Sequence, residues 1–302
     1  MKRRDFLRVT ATAGAGLTLP GGVRTALEAV ENTRFRHPDL AVVKGESPAK
    51  ITRAAVDALG GMKRFISRGD IVVVKPNIGW DRTPEQGANT NPEVVAALVR
   101  MCFEAGAKTV KVFDRPCNDP RRCYVQSGIA EAARAQGADV SFINDRKFKD
   151  TAIHGEILSS WPLYRDVLEA DKIINVPIAK HHGLAGLTLS LKNWMGVMGG
   201  RRGRIHQRID TCLVDLALVL KPTLTVLDAV RILTGNGPQG GSLKDVKRLD
   251  TVVAGTDQVA IDAFGATFFG MKGRDLGFVR EGARRGIGTM ELSKLAISRI
   301  GA

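Results

Sequence analysis

The sequence is 302 residues long, with 44% hydrophobic and 25% charged residues. That balance excludes a mainly disordered chain, and the length allows one large domain or two small ones. The formal net charge is +14, but only the stretch 201–204 and the pair Arg284-Arg285 are densely basic, and aromatic residues make up 5%. Nucleic-acid binding is not expected, because it would need a basic stripe with aromatics or a groove-reading helix. The charge instead favours anionic small molecules or an acidic membrane surface as partners.

Residues 1–30 have the features of an export signal. The pair Arg3-Arg4 precedes a weakly apolar Gly/Ala/Thr-rich run over residues 9–19, which is typical of a twin-arginine signal. The alternative is a basic amphipathic helix, which the helix breakers at 20–22 disfavour. We therefore predict recognition by the twin-arginine translocase and an exported or periplasmic location. The apolar run is short for a membrane span, which needs about 20 residues.

The first half of the chain alternates short β-branched apolar runs with helical stretches, which predicts a parallel sheet with helices packed on it. The run 71–77 holds four consecutive apolar residues, so we expect it to be buried on both faces. Residues 144–160 look like a connecting segment. The predicted strands are 40–45, 71–77, 109–114, 138–143 and 171–179, and the predicted helices are 48–59, 91–104, 128–136 and 162–169.

The second half continues this alternation and adds two glycine-rich loops. The two halves together predict an α/β fold, a largely parallel sheet with helices on both faces, in a single domain over residues 38–302. A boundary between two lobes near residues 145–160 stays open as an alternative. The predicted helices are 186–195, 210–220, 257–269 and 274–285, the predicted strands are 223–229, 251–255 and 294–299, and the loops are 199–204 and 235–241.

The four cysteines, Cys102, Cys117, Cys123 and Cys212, include no CxxC pair. Their spacing matches neither a zinc knuckle nor a ferredoxin-like run, so an iron–sulfur cluster is not expected. In an oxidising compartment Cys117 and Cys123 could form a short-loop disulfide. We expect Cys102 and Cys212 to be buried on helices as small hydrophobic side chains.

A cluster of polar residues follows the predicted strand 171–179. It begins with Lys180, His181 and His182, and His206 follows further along the chain. Neutral imidazoles bind zinc, nickel, copper and iron, so His182 and His206 could share a divalent transition metal completed by an Asp carboxylate. The alternatives are proton transfer by one histidine and a structural or surface role. Adjacent side chains on an extended backbone diverge, so only one of His181 and His182 is expected to face the site.

Three lysines lie beside predicted strand ends or on the helix that follows: Lys75, Lys180 and Lys192. Ligand crevices in open parallel sheets form at the carboxyl ends of strands, where converging ammonium groups could bind a carboxylate or phosphate. Backbone N–H groups at the start of the predicted helix 186–195 would add to that anion site. The alternative is that each lysine lies at the wet rim of the sheet. The catalytic candidates are His182, His206, Lys180 and Lys192.

Carboxylates and a glycine-rich loop complete the set of candidates. The loop 235–241 lacks the spacing of known phosphate loops, so it either cradles a phosphate through its N–H groups or is a mobile turn. Asp228 ends the preceding strand, where a carboxylate can orient a ligand or metal. Asp257 is expected to cap its helix, and Asp262 is either a buried hydrogen-bond partner or a ligand. The substrate-binding candidates are Lys75, Asn77, Asn193, Asp228, Gly235, Asn236 and Gly237.

Several stretches are distinctive in combination, namely VVVKPN, INVPIAKHHGLAGLTLSLKNWMGVMGG with His206 downstream, LDAVRILTGNGPQGG, TVVAGTDQVAIDAFGATFFG and GIGTMELSKLAI. Together they resemble the bacterial and archaeal family of domains of unknown function numbered 362, over roughly residues 40–300. The resemblance implies no settled activity. Many relatives carry a twin-arginine signal, and some carry ferredoxin-like cysteine clusters that this chain lacks. The family pattern of Lys-x-His after the central strand is matched by Lys180 and His182.

Three classes of function remain open. We favour an exported enzyme acting on an anionic small molecule, with the lysines binding the anion and His182 and His206 acting as metal ligands or acid–base groups. The second class is a periplasmic small-molecule or metal-binding protein without turnover. The third is a redox accessory protein that recognises a cofactor-loaded partner. Bound metal with an open coordination position would favour the first, tight reversible ligand capture the second, and a co-purified partner the third.

Overall fold

A central sheet organises the part of the chain that the computed structural model describes, residues 37–302. The predicted signal segment therefore lies outside the described residues. The sheet has ten strands, and a separate sheet has two. The strands are β1 (Leu40–Lys44), β2 (Ile71–Pro76), β3 (Thr109–Val112), β4 (Asp139–Val140), β5 (Phe148–Ala152), β6 (Ser160–Tyr164), β7 (Lys172–Val176), β8 (Ile178–His182), β9 (Gly186–Thr188), β10 (Leu224–Leu233), β11 (Val246–Gly255) and β12 (Ile297–Gly301).

The strand order of the large sheet is β12-β1-β11-β10-β7-β2-β3-β4. Every pair from β10 to β4 is parallel, and along this path only β11 runs against its neighbours. Beyond Pro177, β8 continues from β7, pairs in parallel with β10, and turns back as the antiparallel β9. The prediction of a largely parallel sheet is thus confirmed. Its topology brings the carboxyl ends of β2, β3, β8 and β10 to one edge.

Helices cover both faces of the sheet because its central strands are apolar on both faces. Along β2, Val72 and Val74 pack into one hydrophobic cluster and Val73 packs into the other, as the alternation of a pleated strand requires. All three valines are fully buried, which confirms the expectation for this run. The helices are α1 (Pro48–Ala58), α2 (Pro92–Ala105), α3 (Pro120–Gln126), α4 (Ile129–Arg134), α5 (Arg165–Leu168), α6 (Ser190–Asn193), α7 (Ile209–Val219), α8 (Gln258–Thr267) and α9 (Gly277–Arg284).

Helices α1, α2 and α4 contribute to the cluster that contains Val72, and α6 to α9 contribute to the cluster that contains Val73. Capping side chains mark where three of these helices begin. The side chains of Ser47, Asn91 and Asp257 each accept a backbone N–H in the first turn of α1, α2 and α8.

The prediction of one helix over 186–195 is wrong. Residues 186–188 form β9, and only Ser190–Asn193 is α-helical before a 3₁₀ turn continues the chain. Strand pairing prevails because Gly186 has a positive φ of 72°, which allows a tight return from β8. Leu187 is then buried against the sheet at 2% exposure, where it adds apolar burial that a surface helix would not.

The connecting segment 144–160 contains structure that the sequence analysis missed. β5 and β6 pair as an antiparallel hairpin outside the large sheet. The first three residues of the predicted helix 162–169 belong to β6. Helix α5 is therefore only a single turn. Helix α3 was missed as well. The predicted strand 171–179 divides into β7 and β8 at Pro177, since proline has no N–H to donate to a ladder.

Residues His37–Ala302 pack as one compact unit. No helix within them is long and apolar enough to cross a membrane. All four cysteines are free thiols; Cys102, Cys123 and Cys212 are buried, and Cys117 is exposed.

Candidate functional site

A cavity of about 370 Å³ opens at the edge of the sheet where β2, β3, β8 and β10 end. Parallel sheets commonly bind ligands in such crevices, because loops from several strands converge there. The structure brings seven of the predicted site residues to the lining of the cavity. They are Asn77, Lys180, His182, Lys192, Asn193, His206 and Gly237.

Lys75 is fully buried and does not line the cavity. Its Nζ lies 2.9 Å from Asp114 Oδ1. The same ammonium donates to Pro76 O at 2.8 Å and to Asn193 Oδ1 at 3.1 Å. Three acceptors around one ammonium satisfy all of its donors. Lys75 therefore supports the cavity floor and has no free proton with which to bind a ligand.

Asp114 anchors this floor. Its Oδ2 accepts a hydrogen bond from Ile78 N at 2.6 Å, and its Oδ1 accepts one from Arg115 N at 2.9 Å. Gly196 packs directly on the ion pair, because a Cβ at that position would collide with Asp114 Oδ1 and Lys75 Nζ. A glycine is therefore needed where this backbone crosses the buried pair.

Lys180 is 2% exposed. Its Nζ donates to Asn77 Oδ1 at 3.0 Å and also to Ala88 O. Among residues 37–302, no carboxylate lies within salt-bridge distance of this ammonium. Burial lowers the pKa of Lys180 to about 7, and the nearby Lys192 ammonium contributes to that shift.

Lys192 projects into the same cavity from α6 and is 7% exposed. Its Nζ has a single protein partner in the described residues, Met195 Sδ at 3.3 Å. A thioether is a weak acceptor, so this ammonium retains unused donors. Burial lowers the pKa of Lys192 to about 8. The two cavity lysines are thus buried cations with little protein charge to balance them.

The tautomer of His182 follows from its hydrogen bonds. Its Nδ1 accepts from Leu184 N and Ala185 N, each at 3.2 Å. A nitrogen that accepts two N–H bonds carries no proton, so the proton of the neutral ring is on Nε2. Burial and the surrounding cations lower the pKa of His182 to about 3. The ring is therefore neutral and offers one N–H donor.

His206 has the opposite tautomer. Its Nδ1 lies 3.0 Å from Gly203 O, which can only accept, so Nδ1 carries the proton and Nε2 holds a lone pair. Burial lowers the pKa of His206 below its usual value. The two imidazoles stack with centroids 5.5 Å apart and planes at 12°. One ring of the pair thus offers a donor and the other an acceptor.

These tautomers bear on the predicted metal pair. A metal bound to Nε2 of His182 would require the proton to move to Nδ1, which two backbone N–H groups already occupy. Within residues 37–302, no three His, Cys, Asp or Glu side chains come together as a metal-binding group. The hydrogen bonds of the two rings suit acid–base or hydrogen-bonding roles, and shared metal ligation by His182 and His206 stays a prediction.

His181 and His182 point to opposite faces of β8, as the alternation of a strand requires. His182 lines the cavity, whereas His181 Nδ1 accepts a hydrogen bond from Gly237 N at 3.0 Å. Gly183 N donates to Gly237 O at 3.3 Å. Two hydrogen bonds therefore join the glycine-rich loop to the end of β8 and the turn that follows it. Gly237 and Pro238 of this loop also line the cavity.

The remaining candidates lie outside the cavity. Asp228 is buried and accepts from Asn91 N at 2.7 Å and Val230 N at 2.9 Å, so it joins β10 to the start of α2. Burial raises the pKa of Asp228 to about 6. Gly235 does not reach the cavity wall. Asn236 Nδ2 instead donates to Asp245 Oδ2 at 2.9 Å.

The predicted anion site at a helix N-terminus is already occupied by the protein itself. Ser190 N and Leu191 N, which begin α6, donate to the Asp262 carboxylate at 2.6 and 3.0 Å. Asp262 is fully buried, and burial raises its pKa to about 8. It is therefore a structural hydrogen-bond partner, and those N–H groups are not available to a ligand.

Several cavity residues were missed by the sequence analysis. Asp114 and Cys117 follow the end of β3, and Arg202 donates to Arg115 O at 2.6 Å and Pro116 O at 2.7 Å. The signal for Asp114 was present, since polar residues after a buried strand mark the same sheet edge as Asn77. Arg202 had no such signal, because its role depends on a loop that folds back from a distant part of the sequence.

The fold and the cavity define an α/β protein with a cationic cavity at the carboxyl edge of a largely parallel sheet. Its sequence matches the family described as a domain of unknown function, DUF362, over residues 72–267. The chain belongs to this family. All cavity residues named above lie within the matched segment.

The chain is similar to a thylakoid-associated protein of Synechocystis, with 30% identity over 222 residues. The match covers 70% of this chain and 66% of that relative, so the chain spans just under two thirds of its length. Among solved structures, the lactate racemase apoprotein from Thermoanaerobacterium thermosaccharolyticum has a TM-score of 0.42 and 10% identity, covering 76% of this chain and 56% of that one. A protein from Thermotoga maritima has a TM-score of 0.37 and 12% identity, covering 65% and 54%.

Proposed function

We propose that the protein is an enzyme that binds an anionic small molecule in the cavity and moves a proton on it. The observation that carries the proposal is the pair Lys180 and Lys192, two buried amines on one cavity wall with no carboxylate at salt-bridge distance in the described residues. Burying cations without a counter-charge costs free energy, and a bound anion would supply that counter-charge.

Each polar group has a distinct role in this proposal. Lys192, with unused donors, binds the anion. The Nε2–H of His182 donates a second hydrogen bond to it. The Nε2 lone pair of His206 accepts a proton from the ligand, since a neutral imidazole is a general base at physiological pH. Lys75 and Asp114 hold the floor on which these groups rest.

No step of this proposal requires a metal. The proposed donor and acceptor roles use the tautomers that the hydrogen bonds establish. Elemental analysis of protein purified without added metal tests the earlier metal hypothesis. A stoichiometric metal lost on His206→Ala would replace the acid–base roles with metal ligation.

The first experiment measures thermal stability against small anions, namely phosphate, acetate and pyruvate. At a ligand concentration 100-fold above Kd, mass action stabilises the native state by about 2.7 kcal/mol, which raises the melting temperature by roughly 5 °C for a domain of this size. Lys192→Met should abolish the shift. Lys221→Met, at an exposed position before β10, is the matched control and should keep it. A shift that survives Lys192→Met would place the anion elsewhere.

Turnover is distinguished from simple capture by His206. His206→Gln removes the imidazole but keeps a polar side chain of similar reach, so it should preserve most of the anion-induced shift. If the protein is an enzyme, the same variant should lose at least about 100-fold in rate, the usual contribution of a general base. Deuterium exchange from solvent into a bound carbon acid, followed by NMR, measures the proton transfer without knowledge of the product. If the wild-type protein shows no more exchange than His206→Gln, the protein binds the anion without turnover.

We also propose export through the twin-arginine pathway, on the basis of the sequence of residues 1–30. Cell fractionation tests it directly. The intact chain should reach the periplasm of a host with the translocase, and replacing Arg3 and Arg4 by lysine should retain it in the cytoplasm. Equal distribution of both forms would contradict the proposal.

A further inference from the structure

We propose that Lys180 is a nucleophile that forms an imine with the carbonyl carbon of a 2-oxo acid whose carboxylate is bound by Lys192. This inference rests on the proposed function, because it uses the same cavity and the same anion-binding lysine.

The hydrogen bonds of Lys180 suit a neutral amine. An amine nitrogen has three positions besides its bond to carbon, two for N–H bonds and one for a lone pair. Asn77 Oδ1 and Ala88 O accept the two N–H bonds. The remaining position is the only one left for the cavity that Lys180 lines. The Asn77 oxygen is itself held in place, because Asn77 Nδ2 donates to Asn193 Oδ1 at 3.1 Å.

Space for a reacting atom exists beside this nitrogen. Gly79 lines the cavity next to Lys180, and even a Cβ at this position would lie 3.9 Å from Lys180 Nζ. Because Gly79 has no side chain, this position places no side-chain atom between the cavity and the amine. The wall also includes the apolar side chains of Trp80, Leu184 and Met195, which suit the carbon chain of an organic acid better than an inorganic anion.

Burial favours the neutral amine at Lys180, while the nearby charges act in both directions. Lys192 and Lys75 disfavour its protonation, whereas Asp114 and Cys117 favour it. Burial is the largest influence, and the pKa of Lys180 lies at about 7. A desolvated lysine beside a second cation is a known arrangement for imine-forming lysines. About half of the protein would thus carry a free amine at neutral pH, against a small fraction of one per cent for an ordinary lysine.

Imine formation is a condensation that releases one molecule of water. The lone pair of Lys180 Nζ forms a C–N bond to the carbonyl carbon, while the C=O π pair moves to oxygen. One amine proton passes to that oxygen and gives a carbinolamine. A second proton, taken from solvent, lets the oxygen leave as water and leaves a protonated imine. No oxidant or reductant is consumed. Formation of the imine polarises the adjacent C–H bond, whose proton the lone pair of His206 Nε2 can accept.

Reductive trapping tests the step in the full-length protein. Incubation with pyruvate and cyanoborohydride should fix a carboxyethyl group on Lys180, which peptide mapping by mass spectrometry locates. Because the wild-type chain is mapped, the result does not depend on the folding of any variant. We expect Lys180 to be modified at least tenfold faster than the exposed Lys221, and excess acetate to slow its modification.

Two variants separate the covalent step from anion binding. Lys180→Arg keeps a cation and hydrogen-bond donors but cannot form an imine, so it should retain the acetate-induced thermal shift and lose the adduct. Lys192→Met should lose the shift and slow trapping. A shift with acetate but no adduct on Lys180 would overturn the imine and leave the anion site standing. An adduct on Lys192, or equal labelling of surface lysines, would also overturn the assignment.

The pH dependence of trapping provides a second measurement. Cyanoborohydride trapping at Lys180 should be rapid at pH 7 and gain little from further deprotonation between pH 8 and 9, since an amine with a pKa of about 7 is already about nine-tenths deprotonated at pH 8. A short lysine peptide in the same solution is the reference, because a free lysine side chain has a pKa of about 10.4 and its deprotonated fraction continues to rise over that range. Parallel profiles for Lys180 and the peptide would contradict a specialised amine at Lys180.

Discussion

Lys75 and Lys180 are both buried lysines near the same sheet edge, yet their surroundings differ in charge. Lys75 has Asp114 at 2.9 Å and two further oxygen acceptors. Lys180 has only a side-chain amide oxygen and a backbone oxygen. One amine is neutralised within the protein, and the other is not. Burial alone therefore does not make a lysine a candidate for ligand binding; the missing counter-charge does.

This contrast divides the cavity into a floor and a wall. The floor contains Lys75, Asp114 and Asn193, whose polar groups satisfy one another. The wall contains Lys180 and Lys192, which have no carboxylate at salt-bridge distance among residues 37–302. Removing a floor partner should destabilise the fold, whereas removing a wall lysine should weaken binding and leave the fold intact or stabilise it.

The largest loss of unfolding free energy is expected when the ion pair between Lys75 and Asp114 is broken. Asp114→Ala leaves the Lys75 ammonium buried without its counter-charge, which typically costs about 3–5 kcal/mol of unfolding free energy. Urea unfolding measures it. The double variant Lys75→Met/Asp114→Leu removes both charges and should recover much of the loss. A loss below about 1 kcal/mol for Asp114→Ala would show that the pair is not structural.

The wall lysines should make stability depend on pH. The folded pKa values of Lys180 and Lys192 are about 7 and about 8, against about 10.4 in the unfolded chain. Above pH 7 the unfolded state therefore binds more protons, so stability rises with pH, by roughly 3 kcal/mol between pH 7 and 9. Urea unfolding across this range measures the slope. The variant Lys180→Met/Lys192→Met should flatten it, and an unchanged slope would show that these lysines are ordinary.

A smaller effect is expected at the turn held by His182. His182→Ala leaves Leu184 N and Ala185 N without their acceptor, which should cost about 1–2 kcal/mol. His182→Asn places an oxygen near the position of Nδ1 and should recover most of that stability. Both variants lose the Nε2–H and should weaken anion binding alike. Equal stability of the two variants would contradict the assigned tautomer.

Much of the fold could be predicted because it depends on local patterns. The apolar run of β2, the caps Ser47 and Asn91 and the cap Asp257 are visible in short windows of sequence. The errors arose where distant segments decide the outcome. Residues 186–188 form a strand because β8 lies beside them, and no window around these residues contains that partner. The hairpin of β5 and β6 likewise lies outside the alternation that the rest of the chain follows.

The candidate site could likewise be predicted only in part, because contacts between distant segments decide the rest. Lys180, Lys192 and His182 were found as polar residues after a buried strand, and they do line one cavity. Lys75 also lies near the end of a buried strand, but its ammonium forms an ion pair with Asp114. That partner comes from another strand, so only the fold brings the two together. The prediction that Asp228 ends a strand is wrong, because β10 continues to Leu233, and the Asp228 carboxylate accepts a hydrogen bond from Asn91 N before the start of α2. A position near a strand end therefore predicts which residues lie near the cavity. The hydrogen-bond partners of each residue determine whether its polar atoms remain free for a ligand.

The opposed orientation of His181 and His182 makes two adjacent residues report on different parts of the molecule. The ring of His182 faces the cavity, whereas the ring of His181 is bonded to Gly237 in the glycine-rich loop. In an NMR spectrum, the imidazole signals of His182 would follow occupancy of the cavity, and those of His181 would follow the position of the loop. A titration in which the two sets of signals move at different ligand concentrations would separate binding from loop movement within a single sample.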